Sequence, residues 1–282
     1  MNGTSVRTFA MDFIFFPRLQ KIMPSRIPFK DSFKDFLVEV GELSYFTGRF
    51  FKEALKPPYE FGEFIRQSFF IGYNSLPLVG ITGFIMGLVF TLQTRPTLEE
   101  LGAVAWMPNM IGISIIREIG PVLTALICAG KIGSGIGAEL GSMRVTEQIE
   151  AMEVSGTNPF KYLVVTRVLA ATFTLPILVV LGDTVSVFGS FLVENMKGAV
   201  SFHLYFNKMF EALEFGDLIP ATIKSFFFGL VIGLVGCYKG YNSDKGTEGV
   251  GRAANSAVVI ASLLLFLVDF LAVIVADIFY DL

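Results

Sequence analysis

Arg117 and Glu118 are adjacent charged residues in an otherwise apolar stretch of the chain, just before Gly120–Pro121. Ionisable groups at such positions are costly to bury and usually have a function. Pro121 removes one backbone hydrogen bond, which leaves carbonyl groups near the two charges as partners. We therefore predict that Arg117 and Glu118 contact the polar part of a ligand, with a structural ion pair as the alternative.

Asp183 and Asp269 are two further carboxylates that interrupt apolar segments. Each is expected to pair with Lys131, Arg117 or Lys224 and so to hold helices together. The other interpretation is a proton or sodium relay that uses Asp183, Asp269, Glu118 and Arg117.

Small residues recur at every fourth position in the same part of the chain. The first row contains Ala125, Ala129, Gly133, Gly137 and Gly141, and the second contains Gly130, Ser134, Ala138 and Ser142. In an apolar environment such a face lets helix backbones approach closely, so we predict tight packing at Gly133, Gly137 and Gly141. The nucleotide-binding pattern G-x-x-x-x-G-K-[ST] is absent here, because Lys131 is followed by Ile132.

Residues 143–154 combine acidic and apolar positions. The acidic residues are spaced by three and the apolar ones lie between them: Glu147, Glu150, Glu153, Ile149 and Met152. A short helix of this kind suits a groove on another protein, and a solvated loop helix without a partner is the alternative. Asn158–Pro159 is a helix-start signal, so the next span is expected to begin there.

The composition is that of a membrane protein. Of the 282 residues, 53% are hydrophobic and 17% are charged, and the mean hydropathy is +0.63. Soluble domains carry about 25% charged residues, so the surplus apolar surface is expected to face lipid. The net charge of -3 gives no general attraction to nucleic acid. One histidine, His203, and two distant cysteines, Cys128 and Cys237, are too few for most metal sites or for a disulfide framework.

Five apolar stretches are long enough to cross a bilayer. They cover approximately residues 76–94, 110–139, 162–193, 218–238 and 253–277. The predicted fold class is therefore an all-α integral membrane protein with five transmembrane helices, whose membrane domain covers residues 76–282. Residues 31–75 form an interfacial helical region before it, and residues 1–30 a leader, expected to be mobile, that lacks the pattern of a cleaved signal.

Positions 33 to 52 place apolar and charged residues at helical spacing, which predicts an amphipathic helix that lies in the membrane interface. Pro57 and Pro58 are expected to end it. A helix packed on a soluble partner is the alternative.

The distribution of Lys and Arg predicts the orientation in the membrane. Residues 1–66 contain ten of these residues, and the connections after the second and fourth spans add Arg144, Lys161, Arg167, Lys239, Lys245 and Arg252. The alternate segments contain fewer. Because positive charge in short loops tends to stay in the cytoplasm, we expect the N terminus inside and the C terminus outside.

Two strings carry a family resemblance. The first begins at Arg117 and reads REIGPVLTALICAGKIGSGIGAELGSMRVTEQIEAMEVSGTNPFKYLVVTRVLA, and the second begins at Gly236 and reads GCYKGYNSDKGTEGVGRAANSAVV. They resemble the MlaE/YrbE permeases, which are membrane subunits of ABC transporters that work with MCE-domain proteins. The resemblance extends from about Leu76 to the C terminus.

The resemblance implies a homodimeric permease of the bacterial inner membrane that exchanges phospholipid or a related lipid with a periplasmic MCE-domain protein and serves outer-membrane lipid asymmetry. A separate cytoplasmic ATPase would bind ATP, so no cofactor, metal ligand or catalytic residue is expected in this chain. The resemblance also implies a short coupling helix that docks on the ATPase through Glu139, Arg144, Glu147, Gln148, Glu150 and Met152. Arg117 and Glu118 resemble polar residues near an outward-facing lipid cavity.

Two other functional classes are possible on the sequence alone. An ion-coupled secondary transporter would use the intramembrane carboxylates, but the paired halves that usually mark this class are not visible. A membrane-embedded lipid enzyme would need a His-Asp or metal-carboxylate cluster, and His203 is the only histidine.

Overall fold

The described part of the protein is helical. The computed structural model describes residues 28–198, 200–244 and 246–280, and within these ranges it contains helices, turns and no strand. Five of these helices are long and apolar enough to cross a membrane. The predicted all-α fold with five spans is confirmed. Residues 1–27, which are most of the predicted leader, lie outside the described residues.

The helices are numbered here in chain order. They are α1 Pro28–Ala54, α2 Phe61–Glu100, α3 Val104–Val145, α4 Gln148–Val154, α5 Phe160–Gly198, α6 Phe202–Ala212, α7 Phe215–Tyr241 and α8 Thr247–Tyr280. The spanning helices are α2, α3, α5, α7 and α8. They are longer than the predicted apolar stretches because the helical hydrogen bonds continue into polar sequence at both ends, and α2 already begins at Phe61.

The chain divides into two compact units, residues 1–45 and residues 46–282. The described part of the first unit is the beginning of α1. Its side chains Leu37, Val38 and Tyr45 are exposed apolar groups. These exposed groups give this part of α1 the apolar surface that an interfacial helix requires.

In the second unit, the end of α1 is fixed by aromatic packing. Phe46 and Phe50 are buried, and the ring centroids of Phe46 and Phe160 are 5.1 Å apart in an edge-to-face arrangement. The helix ends at Ala54, before Pro57–Pro58, as predicted.

Helices α2 and α5 approach each other at glycines. A Cβ atom at Gly83 would lie 2.8 Å from the carbonyl oxygen of Gly182, and a Cβ atom at Gly87 would overlap with the carbonyl oxygen of Ser186. Any larger side chain at these positions would separate the two backbones.

The first row of small residues packs α3 against α7 and α8. A Cβ atom at Gly240 of α7 would lie 2.8 Å from the carbonyl oxygen of Gly137, and one at Gly137 would lie 3.3 Å from the Cα of Ala254 in α8. Gly133 and Gly141 lie one turn before and after Gly137 on the same packed face. The second row is exposed or half-buried and contains Gly130, Ser134, Ala138 and Ser142.

Two π turns interrupt the α-helical geometry of α3. The first, Ile115–Ile119, contains Arg117 and Glu118, and the second, Ala129–Gly133, contains Lys131. A π turn inserts one extra residue and so shifts the direction of the side chains around it; such turns are frequent at functional sites.

A small apolar core closes the end of the bundle at which α2 leads into α3. Its members are Leu98, Met107, Ile111, Ile115, Val187, Phe191, Tyr205 and Met209. Tyr205 of α6 shares a 2.7 Å hydrogen bond with Ser190, which accepts a hydrogen bond from Thr91 (2.6 Å). Burial raises the pKa of Tyr205 to about 12, so the phenol stays neutral and fastens α6 to the spans.

We expect Gly240→Ala to lower the free energy of unfolding by about 1 to 3 kcal/mol, because the new methyl group must displace the backbone of α3. Gly130→Ala is the matched control, since nothing lies within 4 Å of a Cβ at that helical position. Thermal unfolding of both purified variants in one detergent measures the difference. Equal stability would show that the approach of α3 and α7 does not require glycine.

Candidate functional site

A buried ammonium group, Lys224 of α7, lies between two carboxylates from neighbouring helices. Its Nζ is 3.1 Å from Oδ1 of Asp269 in α8, and it forms a second ion pair with Glu118 of α3. The Lys224 side chain is only 5% exposed, whereas that of Glu118 is much more accessible. Because a buried charge is strongly unfavourable without a partner, this cluster joins three spanning helices.

Arg117 and its neighbour Glu118 form ion pairs with different residues. Its Nη1 is 3.5 Å from Oδ1 of Asp217, and half of the arginine side chain is exposed. Asp217 lies in the first turn of α7, where it also accepts a hydrogen bond from the backbone N–H of Glu214 (3.2 Å). In the described ion pairs, Arg117 and Glu118 therefore each contact α7, at Asp217 and Lys224, which lie two helical turns apart. The guanidinium of Arg117 and the carboxylate of Glu118 both stay partly accessible.

Asp183 differs from the clustered carboxylates because it has no ion pair among the described residues. Its Oδ1 is buried without a hydrogen-bond partner there, and a Cβ atom at Gly120 would overlap with it. The residue lines a groove of about 350 Å³ between α2, α3 and α5. The predicted pairing of Asp269 with Lys224 is confirmed, and the predicted pairing of Asp183 with a basic residue is wrong for the described residues.

An ion pair holds the short helix α4 at the end of α3. Nη1 of Arg144, in the last turn of α3, is 2.7 Å from Oε1 of Glu150 in α4. Between them Glu147 has a φ angle of 58°, a left-handed conformation that redirects the chain before α4 begins. Two of the residues expected to touch an ATPase, Arg144 and Glu150, thus contact each other.

The apolar side predicted for this segment is turned inward. Ile149 is 1% exposed and packs within this chain, so it is not available to a partner groove, and Met152 is half-buried. The exposed positions are Glu147, Gln148, Ala151, Glu153 and Val154. The surface that α4 presents is therefore mainly polar and acidic, with Val154 as its large apolar group.

Glu139 is held by α5. Oε1 of Glu139 is 2.7 Å from Nη2 of Arg167, and Nη1 of the same guanidinium donates to the carbonyl of Leu163 (3.1 Å). Arg167 is almost fully buried. Glu139 thus fixes the end of α3 against α5, about one and a half turns before Arg144.

Sequence reasoning did not identify several partners. It missed Arg167 and Asp217 as ion-pair residues, and it missed the buried pair in which Nη1 of Arg95 is 3.0 Å from Oε2 of Glu194. The only available signal was that these charges lie near the ends of apolar stretches. That signal gives a charge's depth but not the neighbouring helix that supplies its partner.

The described residues contain no group of three or more His, Cys, Asp and Glu that could hold a metal ion. Cys128 and Cys237 are buried free thiols.

Comparison with known proteins identifies the family. Residues 64–275 match the family described as Permease MlaE. A probable ABC transporter permease protein of Rickettsia prowazekii is 42% identical over 236 residues, which are 84% of this chain and 91% of that protein. A probable ABC transporter permease protein of Synechocystis is 33% identical over 226 residues, which are 80% of this chain and 86% of that protein.

A more distant relative occurs in a plant. The chloroplastic protein TRIGALACTOSYLDIACYLGLYCEROL 1 of Arabidopsis thaliana is 33% identical over 199 residues, which are 71% of this chain and 57% of that protein. Together with five helices able to span a membrane, these similarities show that the chain belongs to the MlaE family of ABC transporter permeases.

Proposed function

We propose that this chain moves phospholipid or a related lipid between the bacterial inner membrane and a periplasmic MCE-domain protein. It would act as one of two identical permease subunits and receive its energy from a separate cytoplasmic ATPase. The observation that carries the proposal is the course of α3, which contacts the buried Lys224 through Glu118 in its first half and ends next to the exposed helix α4. A single helix thus connects charged groups inside the membrane to a surface on which another protein can act.

The accessible charges on α3 suit an amphiphilic cargo. Arg117 offers a partly accessible guanidinium and Glu118 a partly accessible carboxylate within a largely apolar bundle, and phospholipid headgroups carry phosphate and often an amine. The Arabidopsis relative carries the name of a glycolipid, which supports a lipid as the class of cargo. A role of this kind would contribute to outer-membrane lipid asymmetry.

An ion-coupled secondary transporter is the alternative, and the unpaired Asp183 is the observation in its favour. Membership of an ABC permease family argues against it, because transporters of that family are driven by an ATPase rather than by an ion gradient.

The distribution of Lys and Arg supports an orientation with the N terminus and α4 in the cytoplasm, and α6 and the C terminus in the periplasm. To test it, Ser142→Cys and Ser201→Cys are introduced separately into a chain in which Cys128 and Cys237 are replaced by Ala. An impermeant maleimide is expected to label position 201 in right-side-out vesicles, and position 142 only after permeabilisation. Strong labelling of position 142 in intact vesicles would reverse the proposed orientation.

Charge reversal by Glu147→Lys with Glu150→Lys is expected to detach or uncouple the ATPase. Loss of one member of a desolvated charge pair typically weakens binding by about 2 to 5 kcal/mol. Co-purification of the ATPase and lipid-dependent ATP turnover measure the effect. Normal values for both would place the coupling contact elsewhere, for example at residues 239–252.

Because Glu150 also pairs with Arg144, a second comparison separates partner contact from the position of α4. Arg144→Glu combined with Glu150→Arg restores the ion pair with its charges exchanged. If α4 acts through its position, this exchange restores ATP turnover that Arg144→Glu alone abolishes. Lys56→Ala, which removes an exposed lysine, is the control.

Replacement of Arg117 and Glu118 by Leu is expected to preserve the assembled complex and to reduce bound lipid severalfold. Assembly should survive because Lys224 keeps its 3.1 Å pair with Asp269. The complex is purified with its co-expressed neighbours, and mass spectrometry identifies the proteins and lipids present. The exposed pair Arg252–Glu248, changed to Leu, is the matched control.

Two outcomes would contradict this account. If the amount of bound lipid is unchanged while the complex falls apart, Arg117 and Glu118 have a structural role. A wild-type complex that carries an ATPase but no lipid would contradict the proposed lipid cargo.

A further inference from the structure

A cleft of about 490 Å³ lies between α2 and α3, away from the Lys224 cluster. Arg66 and Glu139 line the part of it that lies near the first turns of α2 and the last turns of α3. Ser75 and Lys131 lie about 12 Å deeper, since each is eight helical residues from Gln67 or Glu139 respectively. The cleft thus extends from one end of α2 and α3 toward the middle of these helices.

The charges that line the cleft do not cancel. Arg66 is paired with Glu63 at 2.9 Å, and Glu139 is paired with Arg167 at 2.7 Å. Lys131 takes part in no ion pair that the structure describes, and its side chain is exposed. One positive charge is therefore left over, at a depth where an unpaired cation is costly and indicates a functional site.

Neutral donors lie at the same depth as this cation. Ser75 is almost fully buried, and its hydroxyl has no hydrogen-bond partner among the described residues. Asn74 lines the cleft beside it, and nothing lies within 4 Å of a Cβ placed at Gly135. Phe70, Ile71 and Ile136 supply the apolar part of the lining. This combination of one free cation, a hydroxyl and an amide with apolar walls matches the phosphate and glycerol region of a phospholipid.

We propose that the cleft between α2 and α3 is a binding site for the phosphate of an anionic phospholipid, with Lys131 as its principal charge partner and Ser75 and Asn74 as hydrogen-bond donors. The site is separate from Arg117 and Glu118, and it would hold a lipid of the leaflet next to α4. The inference rests on the proposed lipid-transport function and names a second headgroup site for it.

The test uses the full chain with a single tryptophan in the cleft. Trp106, the only tryptophan, is replaced by Phe, and Phe70→Trp places the fluorophore at the site. The protein is reconstituted into dioleoylphosphatidylcholine vesicles that contain brominated phosphatidylglycerol or brominated diacylglycerol. Bromine quenches tryptophan on contact, so the ratio of the two quenching efficiencies reports preference for the anionic phosphate.

We expect brominated phosphatidylglycerol to quench more strongly than brominated diacylglycerol. Lys131→Gln should reduce this preference by about three- to fivefold, the effect of one partly exposed ion pair. Lys131→Arg should retain it, which also shows that position 131 tolerates substitution. Lys197→Gln is the matched control. Lys197 is exposed and lies in the last turn of α5, outside the cleft, so this change should leave the preference unchanged.

Three results would overturn the inference. A preference that persists in Lys131→Gln would show that this cation does not bind the phosphate. Loss of the preference on addition of inorganic phosphate would assign the site to free phosphate. Equal quenching by both lipids in the unmodified site would show that no anionic lipid is selected. Lipid-dependent ATP turnover of the assembled complex is measured in parallel, so that failure of this site is distinguished from failure of the proposed transport function.

Discussion

A charged group inside a bilayer is costly without a partner, and the ion pairs of the described spans determine which helices of the bundle lie next to each other. Lys224 connects α7 to carboxylates on α3 and α8. Arg167 connects α5 to Glu139 of α3, and Arg95 connects α2 to Glu194 of α5. Each pair joins residues that are 28 or more positions apart in sequence. In lipid, where apolar side chains gain nothing by leaving their solvent, such contacts select one arrangement of helices over others.

These pairs form only because the helix backbones come close together, and glycine permits that approach. The carbonyl oxygen of Gly182 lies 2.8 Å from where a Cβ at Gly83 would be, and that of Gly137 lies 2.8 Å from where one at Gly240 would be. A bulkier residue would move α2 from α5, or α7 from α3. The small residues and the buried ion pairs therefore stabilise the same arrangement of helices.

Features encoded by neighbouring residues could be predicted from the sequence, and features that depend on helix rotation could not. The five spans follow from hydropathy, and the start at Asn158 is confirmed by a 3.3 Å hydrogen bond from the backbone of Lys161 to its side chain. The burial of Ile149 and the pair between Arg144 and Glu150 depend on how α4 turns back on α3. The π turns of α3 add a further obstacle, because each shifts all later side chains by about one residue relative to an ideal helix.

The two π turns also determine where α3 can bend between its two ends. From Glu118 to Arg144 the helix advances about 39 Å, which exceeds the roughly 30 Å hydrocarbon thickness of a bilayer. Its last turns are fixed by Glu139 to α5 and by Gly137 to α8, so a displacement of α4 moves this part as a unit. Sharp bends in long helices occur at π turns, so the displacement is absorbed there rather than in the regular turns between them. Those are the turns that carry Lys131, Arg117 and Glu118, and the positions at which α3 bends most easily are therefore the positions at which we propose that lipid headgroups bind.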